Sequence, residues 1–324
     1  MATTLTHFPL EGPVLVVDDP EEDAAQAVRA QGRDVVRWSR MDTPGGEVGS
    51  PWPSPGPFGA ALVRLPPSRN ALDFLLHAVG SVVAPGGRIF VYGSKDEGIA
   101  STGRRMEPWV ETVAVRANAR RCRVLEGQLK GTDSRPAHGA ELSAWRTVST
   151  VDLGWGPVDW VSYPGTFAKG GVDPGTTLLL TNLPLWPRGG RVLDFAAGTG
   201  VLAAVMAHRD PTAQVVMVEP DALSREAAGE NVPGGSFAPP YSWWEAGPFH
   251  AIVSNPPYHR GKEESLEVLA SLIARAPGAL VSGGELRIVV QRRLPVEPLL
   301  REGFPAPEVV VDEGPYRVWR ALRL

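Results

Sequence analysis

Residues 191–206, RVLDFAAGTGVLAAVM, decide how the chain is read. An apolar run, a turn holding Gly198 and Gly200, and then Val201, Leu202, Val205 and Met206 at helical spacing describe a strand, a glycine turn and a helix. Glycines at such a turn remove side chains where a ligand must approach the backbone. Alone the turn is a weak signal, because dinucleotides and other nucleoside cofactors use it alike. The next strand, residues 215–218, ends in Glu219, about twenty positions further on, where an acidic side chain suits two ribose hydroxyls.

Working towards the C-terminus, the second signal is SNPPY, residues 254–258, which closes the apolar run Ala251, Ile252 and Val253. An amide or exocyclic base nitrogen has a delocalised lone pair, so it accepts a methyl group only if acceptors hold its N–H protons. Asn255 offers a side-chain oxygen. Pro256 and Pro257 lack an N–H and fix φ, which keeps the turn rigid and leaves its carbonyls as further acceptors. Tyr258 offers a face on which a flat ring can stack. The competing reading of these five residues is a proline pair that merely ends a strand. Glycine turn, acidic strand end and NPPY, in that order, favour S-adenosylmethionine over NAD.

Residues 160–163 read as a strand leading into TFAKGGVDPGT, residues 166–176. This loop either closes over a ligand with Phe167 as an aromatic lid or packs permanently on the core. A helix over 262–276 buries Leu266, Leu269, Leu272 and Ile273, and a hairpin of 309–311 with 318–322 ends the chain.

The first half repeats the alternation of strand and helix, with strands at 14–17, 35–36, 60–65 and 88–92 and a helix over 70–83, which implies a parallel sheet. Its first turn, DDPEED, has no glycine and sets two aspartates where an anion-cradling loop would be disfavoured. Its strand 60–65 ends in RLPP, with Arg64 and Leu65 where the second half has Ser254 and Asn255. A duplicated fold whose site has been lost accounts for both features. Residues 142–148 are expected to complete this domain as a strand, which sets the boundary at 154/155.

Composition agrees with two domains: 324 residues, 43% hydrophobic and 21% charged, as in soluble globular chains. The net charge of −4 speaks against a protein that coats nucleic acid. Locally, residues 104–135 hold eight basic side chains against four acidic ones, a stretch that either meets phosphates or forms a solvated arginine-rich face. The single Cys122 forms no internal disulfide, and nothing has metal-ligand spacing. No apolar run reaches membrane-spanning length and the start MATTLTHFPLEG lacks a signal-peptide pattern, so the cytoplasm is the expected compartment.

The motifs PGTFAKGGVDPGTTLLL, VLDFAAGTGVL, IVSNPPYH, SGGELRIVVQ and EGPYRVWRA, with ALVRLPPSRNALDFLLHAV and PGGRIFVYGSKDEGI in the first half, resemble the tandem-domain ribosomal RNA guanine-N2 methyltransferases. That resemblance implies an α/β protein of two tandem class I, Rossmann-like, seven-stranded methyltransferase-like domains, the first degenerate and used for RNA recognition or structural support. It implies S-adenosylmethionine as cofactor and ribosomal RNA or a ribosomal subunit, most simply the small one, as partner. Carried onto this sequence, Asp194, Ala196, Gly198, Gly200 and Glu219, with Phe167 above them, face the cofactor, while Asn255, Pro256 and Tyr258 hold the target base. Three residues depart from the family pattern. Ala196 stands at the first glycine of the turn, Pro240 where a polar residue meets the adenine amine, and His250 where an Asp precedes the NPPY strand. The alternatives are methylation of DNA adenine or protein glutamine, which also use NPPY turns, and a non-catalytic RNA-binding or assembly factor. No general base is expected, and His259 is assigned no role.

Overall fold

The computed structural model describes residues 10–119, 121–135, 141–166, 171–257 and 263–324. Contacts divide the chain into two compact units, Met1–Arg146 and Thr147–Leu324.

In the first unit the strands are β1 (Val14–Val17), β2 (Val35–Trp38), β3 (Phe58–Arg64), β4 (Val83–Ser94), β5 (Ala114–Ala119) and β6 (Cys122–Gln128), with helices α1 (Asp23–Arg29), α2 (Arg69–Val82) and α3 (Ile99–Met106). They form one sheet in the order β2-β1-β3-β4-β6-β5. The first four of these strands run parallel, and β6 is antiparallel to both neighbours. Helix α2 starts where the sequence provides a cap, the Ser68 side chain accepting from the Ala71 amide.

The second unit opens with a hairpin of β7 (Thr147–Asp152) and β8 (Pro157–Ser162). Then come α4 (Pro174–Leu180), β9 (Arg191–Phe195), α5 (Val201–Arg209), β10 (Gln214–Val218), α6 (Ala222–Asn231), β11 (Ser236–Phe237), β12 (Phe249–Ser254), α7 (Glu263–Ala279), β13 (Leu280–Gln291), α8 (Val296–Gly303), β14 (Glu308–Glu313) and β15 (Tyr316–Leu322). The sheet order is β11-β10-β9-β12-β13-β15-β14, with β15 antiparallel to both neighbours. Side chains of β9 alternate between two cores: Leu193 and Phe195 pack on one face and Val192 on the other. Burial on both faces explains why these strands are apolar throughout instead of alternating.

The two sheets share one topology, with one difference. Strand β11 has no counterpart in the first unit, whose sheet has six strands among the described residues. The expectation of seven strands in both domains is corrected on this point. In the corresponding place residues 43–57 run as a segment rich in glycine and proline, and proline cannot donate to a ladder. Two further expectations change. The strand sought at 142–148 falls at β7, which pairs with β8 in the second unit, so the contact boundary lies at 146/147 instead of 154/155. Register also moves the lost counterpart of the NPPY turn by one residue. Ala60 pairs with both Val14 and Arg88 as Ala251 pairs with both Val192 and Glu285, so Arg64, not Leu65, occupies the place of Asn255.

Candidate active site

Three adjacent strands of the second sheet end level. Phe195 pairs with Val218 on one side and with Ser254 on the other, so Ala196, Glu219 and Asn255 are the next residues of β9, β10 and β12. This is the carboxyl edge of a parallel sheet at the point where strand order reverses, the usual ligand crevice of open α/β sheets. The fold thereby brings Asp194, Ala196, Gly198, Gly200, Glu219, Asn255 and Pro256 to one edge. Phe167 and Tyr258, as well as His259, lie outside the described residues.

The turn from β9 to α5 bends through left-handed backbone at Ala196, Gly198 and Gly200, with φ of 60°, 56° and 91°. A side chain at Gly200 would place its Cβ 2.8 Å from Val232 Cγ2, so glycine is needed there for α5 to pack on α6 as well as for conformation. Ala196 adopts the same left-handed backbone without glycine's freedom, at a cost of about 1 kcal/mol. Replacing Ala196 with glycine is expected to stabilise the protein by up to about 1 kcal/mol, read as a rise in thermal midpoint. An unchanged or lower midpoint would show that the turn already accommodates the methyl group.

Two carboxylates sit under this turn. Asp194 is fully buried; one oxygen accepts from the Ala203 amide at 3.0 Å, and Oδ1 has no hydrogen-bond partner. Burial pushes its pKa up to about 7, opposed by the Ala203 amide and reinforced by the charge of Glu219. Glu219 accepts from the amides of Gly198 and Asp221 at 2.8 and 2.9 Å. Burial raises it too, to about 7, against those two amides. A buried carboxyl oxygen without a donor is costly unless something supplies one, and a ligand bearing hydroxyl or ammonium groups at the turn would.

On the other side of β9, Asn255 is half-buried and Pro256 buried. The Asn255 Nδ2 donates to Asp173 Oδ2 and to Thr176 Oγ1, both at 2.9 Å. Asp173 is the N-cap of α4, the same oxygen accepting from the amides of Gly175 and Thr176. The sequence expectation named the loop but not these two residues, although an Asp directly before Pro174 is a helix-start signature. Two more side chains hold the glycine turn. Trp160 Nε1 donates to Thr199 Oγ1, and Asn231 both accepts from the Val161 amide and donates to the Thr199 carbonyl. Of the departures, His250 accepts from the Arg191 amide at 3.1 Å, where β9 begins. Pro240 follows β11 at the same sheet edge.

The first unit repeats this edge with its polarity reversed. Five residues again separate β1 from α1, and the first and last, Asp18 and Glu22, are left-handed (φ 52° and 56°) where the second unit has Ala196 and Gly200. Ser39 follows β2 as Glu219 follows β10, and its hydroxyl donates to Asp18. Asp19 accepts from the Ala25 amide and from the Tyr92 hydroxyl, and Arg64 makes a two-pronged ion pair with Glu97. Carboxylates and their partners thus fill the place of the glycine turn. An open cavity of about 800 Å³ lies beside it, lined by Pro66, Pro67, Arg69, Arg104 and Trp145 among others. Five of the eight basic side chains of 104–135 are engaged within the unit: Arg105 with Asp73, Arg116 with Glu126, Arg121 with Asp96, Lys130 with the Glu107 carbonyl and Arg135 with the Gly80 carbonyl. Arg120 lies outside the described residues.

Comparison with known proteins places both units. The family model of the methyltransferase small domain matches residues 158–320, and that of the methyltransferase small domain N-terminal region matches residues 9–146. A ribosomal RNA small subunit methyltransferase C of Stutzerimonas stutzeri is 30% identical over 276 residues, 84% of this chain and 81% of the relative. One from Erwinia tasmaniensis is 31% identical over 263 residues, 80% and 74% of the two chains. Among solved structures, a T. thermophilus 16S rRNA N2 methyltransferase in complex with AdoMet and guanosine superposes with a TM-score of 0.86 at 23% identity, covering 100% of this chain and 91% of that one. At that identity the match speaks for the fold.

Proposed function

The chain belongs to the family of ribosomal RNA small subunit methyltransferase C, and from that premise we propose that its second unit methylates the exocyclic N2 of a guanine in small-subunit ribosomal RNA. The enzyme is an rRNA methyltransferase with S-adenosylmethionine as its cofactor. The residues present fit that cofactor: a left-handed glycine turn, a buried carboxyl oxygen of Asp194 without a donor, and Glu219 at the adjacent strand end. When bound, S-adenosylmethionine supplies an electrophilic methyl group on a sulfonium.

The chain's own residues have two tasks. Asp194, Ala196, Gly198, Gly200 and Glu219 bind and orient the donor. Asn255 and the Pro256 carbonyl accept the N–H bonds of the target amine, turning its lone pair towards the methyl carbon, while the ring rests on Tyr258 and the base is drawn out of its stack. In-line displacement makes alignment the main contribution. The new N–C bond leaves the nitrogen acidic, so its proton passes to water without a protein base.

One observation carries the N2 reading: Asn255 Oδ1 takes no hydrogen bond among the described residues, at a strand end level with Glu219 and the glycine turn. The test uses S-adenosylmethionine labelled in the methyl group and small ribosomal subunits from cells lacking this protein. Digestion of the RNA is expected to give N2-methylguanosine as the labelled nucleoside. Label on another atom, or greater label on DNA or protein offered in parallel, overturns the reading.

For the first unit we propose RNA recognition through the cavity beside β3. Arg69 and Arg104 there are exposed and make no ion pair among the described residues, and the prolines and Trp145 offer flat faces. Changing both Arg69 and Arg104 to Glu is expected to raise KM for the subunit roughly tenfold, with a shallower salt dependence, and to leave cofactor affinity unchanged. An unaltered KM would leave this unit a support for folding alone.

A further inference from the structure

The Asn255 amide is held on one side only. Both protons of Nδ2 are used, by Asp173 Oδ2 and Thr176 Oγ1 at 2.9 Å each. Neither partner is loosely placed. Asp173 Oδ2 is fixed by the amides of Gly175 and Thr176. Thr176 is 6% exposed, and the Tyr316 ring packs so closely on Gly175 that an added Cβ would lie 3.1 Å from it. Turning the amide over would set Asn255 Oδ1 against the acceptor-only Asp173 carboxylate and forfeit that bond; the Thr176 hydroxyl can donate as well as accept, so Asp173 fixes the sense of the amide and Thr176 holds it in place. An asparagine free to turn presents either its oxygen or its NH2 to a substrate; this one presents its oxygen.

We propose that Asp173 and Thr176 are positioning residues that lock the Asn255 amide with its oxygen towards the substrate, so that the site admits a nitrogen carrying N–H and rejects a carbonyl edge. This rests on the reading of Asn255 as the amine acceptor. A guanine has a carbonyl and an amine on the same ring, so a reversible amide would accept either edge and misplace the nucleophile in part of the bound population. The clasp also makes the start of α4 part of the catalytic geometry, although neither Asp173 nor Thr176 touches the base.

Two variants separate this role from a merely structural one. Thr176→Val removes the hydroxyl acceptor and keeps the shape. Asp173→Ser keeps a helix cap but is too short to reach Asn255. Each is expected to lower kcat on small ribosomal subunits at least tenfold, with the S-adenosylmethionine Kd and the thermal midpoint near wild type, and Thr176→Ser is expected to restore kcat. The proposal is overturned if folded Thr176→Val and Asp173→Ser keep wild-type kcat, or if kcat, cofactor affinity and midpoint fall together. Asn255→Ala, assayed alongside, tells the two levels apart. An active Asn255→Ala removes the reading of Asn255 itself, whereas an inactive Asn255→Ala beside active Asp173→Ser and Thr176→Val removes the clasp alone.

Discussion

Asn255→Ala is expected to lower methyl transfer by about two to three orders of magnitude, the range seen when one preorganised polar contact to a reacting centre is deleted. S-adenosylmethionine affinity should stay within about twofold. The separation follows from position. Asn255 lies beyond β12 on one side of β9, whereas the carboxylates of the turn, Asp194 on β9 and Glu219 just past β10, lie at the glycine turn and on its other side. Removing the amide takes away two hydrogen bonds to the start of α4 but none to the glycine turn. Asn255→Asp is the sharper control. A carboxylate would still accept, but it would face the Asp173 carboxylate across the 2.9 Å that the amide now bridges. That variant should be nearly as inactive as the alanine one and less stable. Rates under saturating cofactor, with binding measured by titration calorimetry, decide the matter; equal losses in rate and affinity would refute a role confined to the acceptor amine.

The parts of this site that were legible in the sequence are those set by local chemistry. Gly198 and Gly200 announce left-handed backbone because few other residues adopt it at low cost. Glu219 and Asn255 announce themselves as polar residues at the ends of apolar runs. What stayed hidden depends on register between distant segments. The clasp joins Asn255 to residues 79 and 82 positions away, and the staple of Asn231 to the strand at Val161 spans 70. Neither side of such a pair carries a mark in its own neighbourhood, apart from the Asp-Pro helix start. The one-residue error over Arg64 has the same origin. Aligning RLPP to SNPPY by its prolines ignores that the ladder, which fixes side-chain direction, counts from Ala60 and Ala251. The missing third strand of the first sheet was partly legible, since the glycine and proline of residues 43–57 already argued against a strand there.

Glu219→Ala is expected to weaken S-adenosylmethionine binding by about a hundredfold, since two hydrogen bonds to a charged acceptor are together worth about 3 kcal/mol or more. The effect should depend on pH in a way that identifies its source. Burial raises Glu219 and Asp194 to about 7 in the free protein. A carboxyl whose folded pKa lies above its unfolded one contributes stability that is full below the unfolded value and is lost as pH rises through the folded one. For this pair the loss therefore runs from about pH 4 to about pH 7. A ligand that donates hydroxyl hydrogens and carries positive charge prefers the ionised carboxylates, so binding releases protons below pH 7. Wild-type affinity should then climb from pH 5.5 to 7 and level off above it, while the free protein loses stability over the same interval. Cofactor-induced stabilisation is accordingly largest on the alkaline side. In Glu219→Ala the climb should shrink to the share left to Asp194, and in the double variant with Asp194→Asn it should vanish. Calorimetric titrations in two buffers of different ionisation enthalpy, repeated across this range, read affinity and proton release together. A flat wild-type profile with no proton release would show that these carboxyls are not the groups that meet the cofactor.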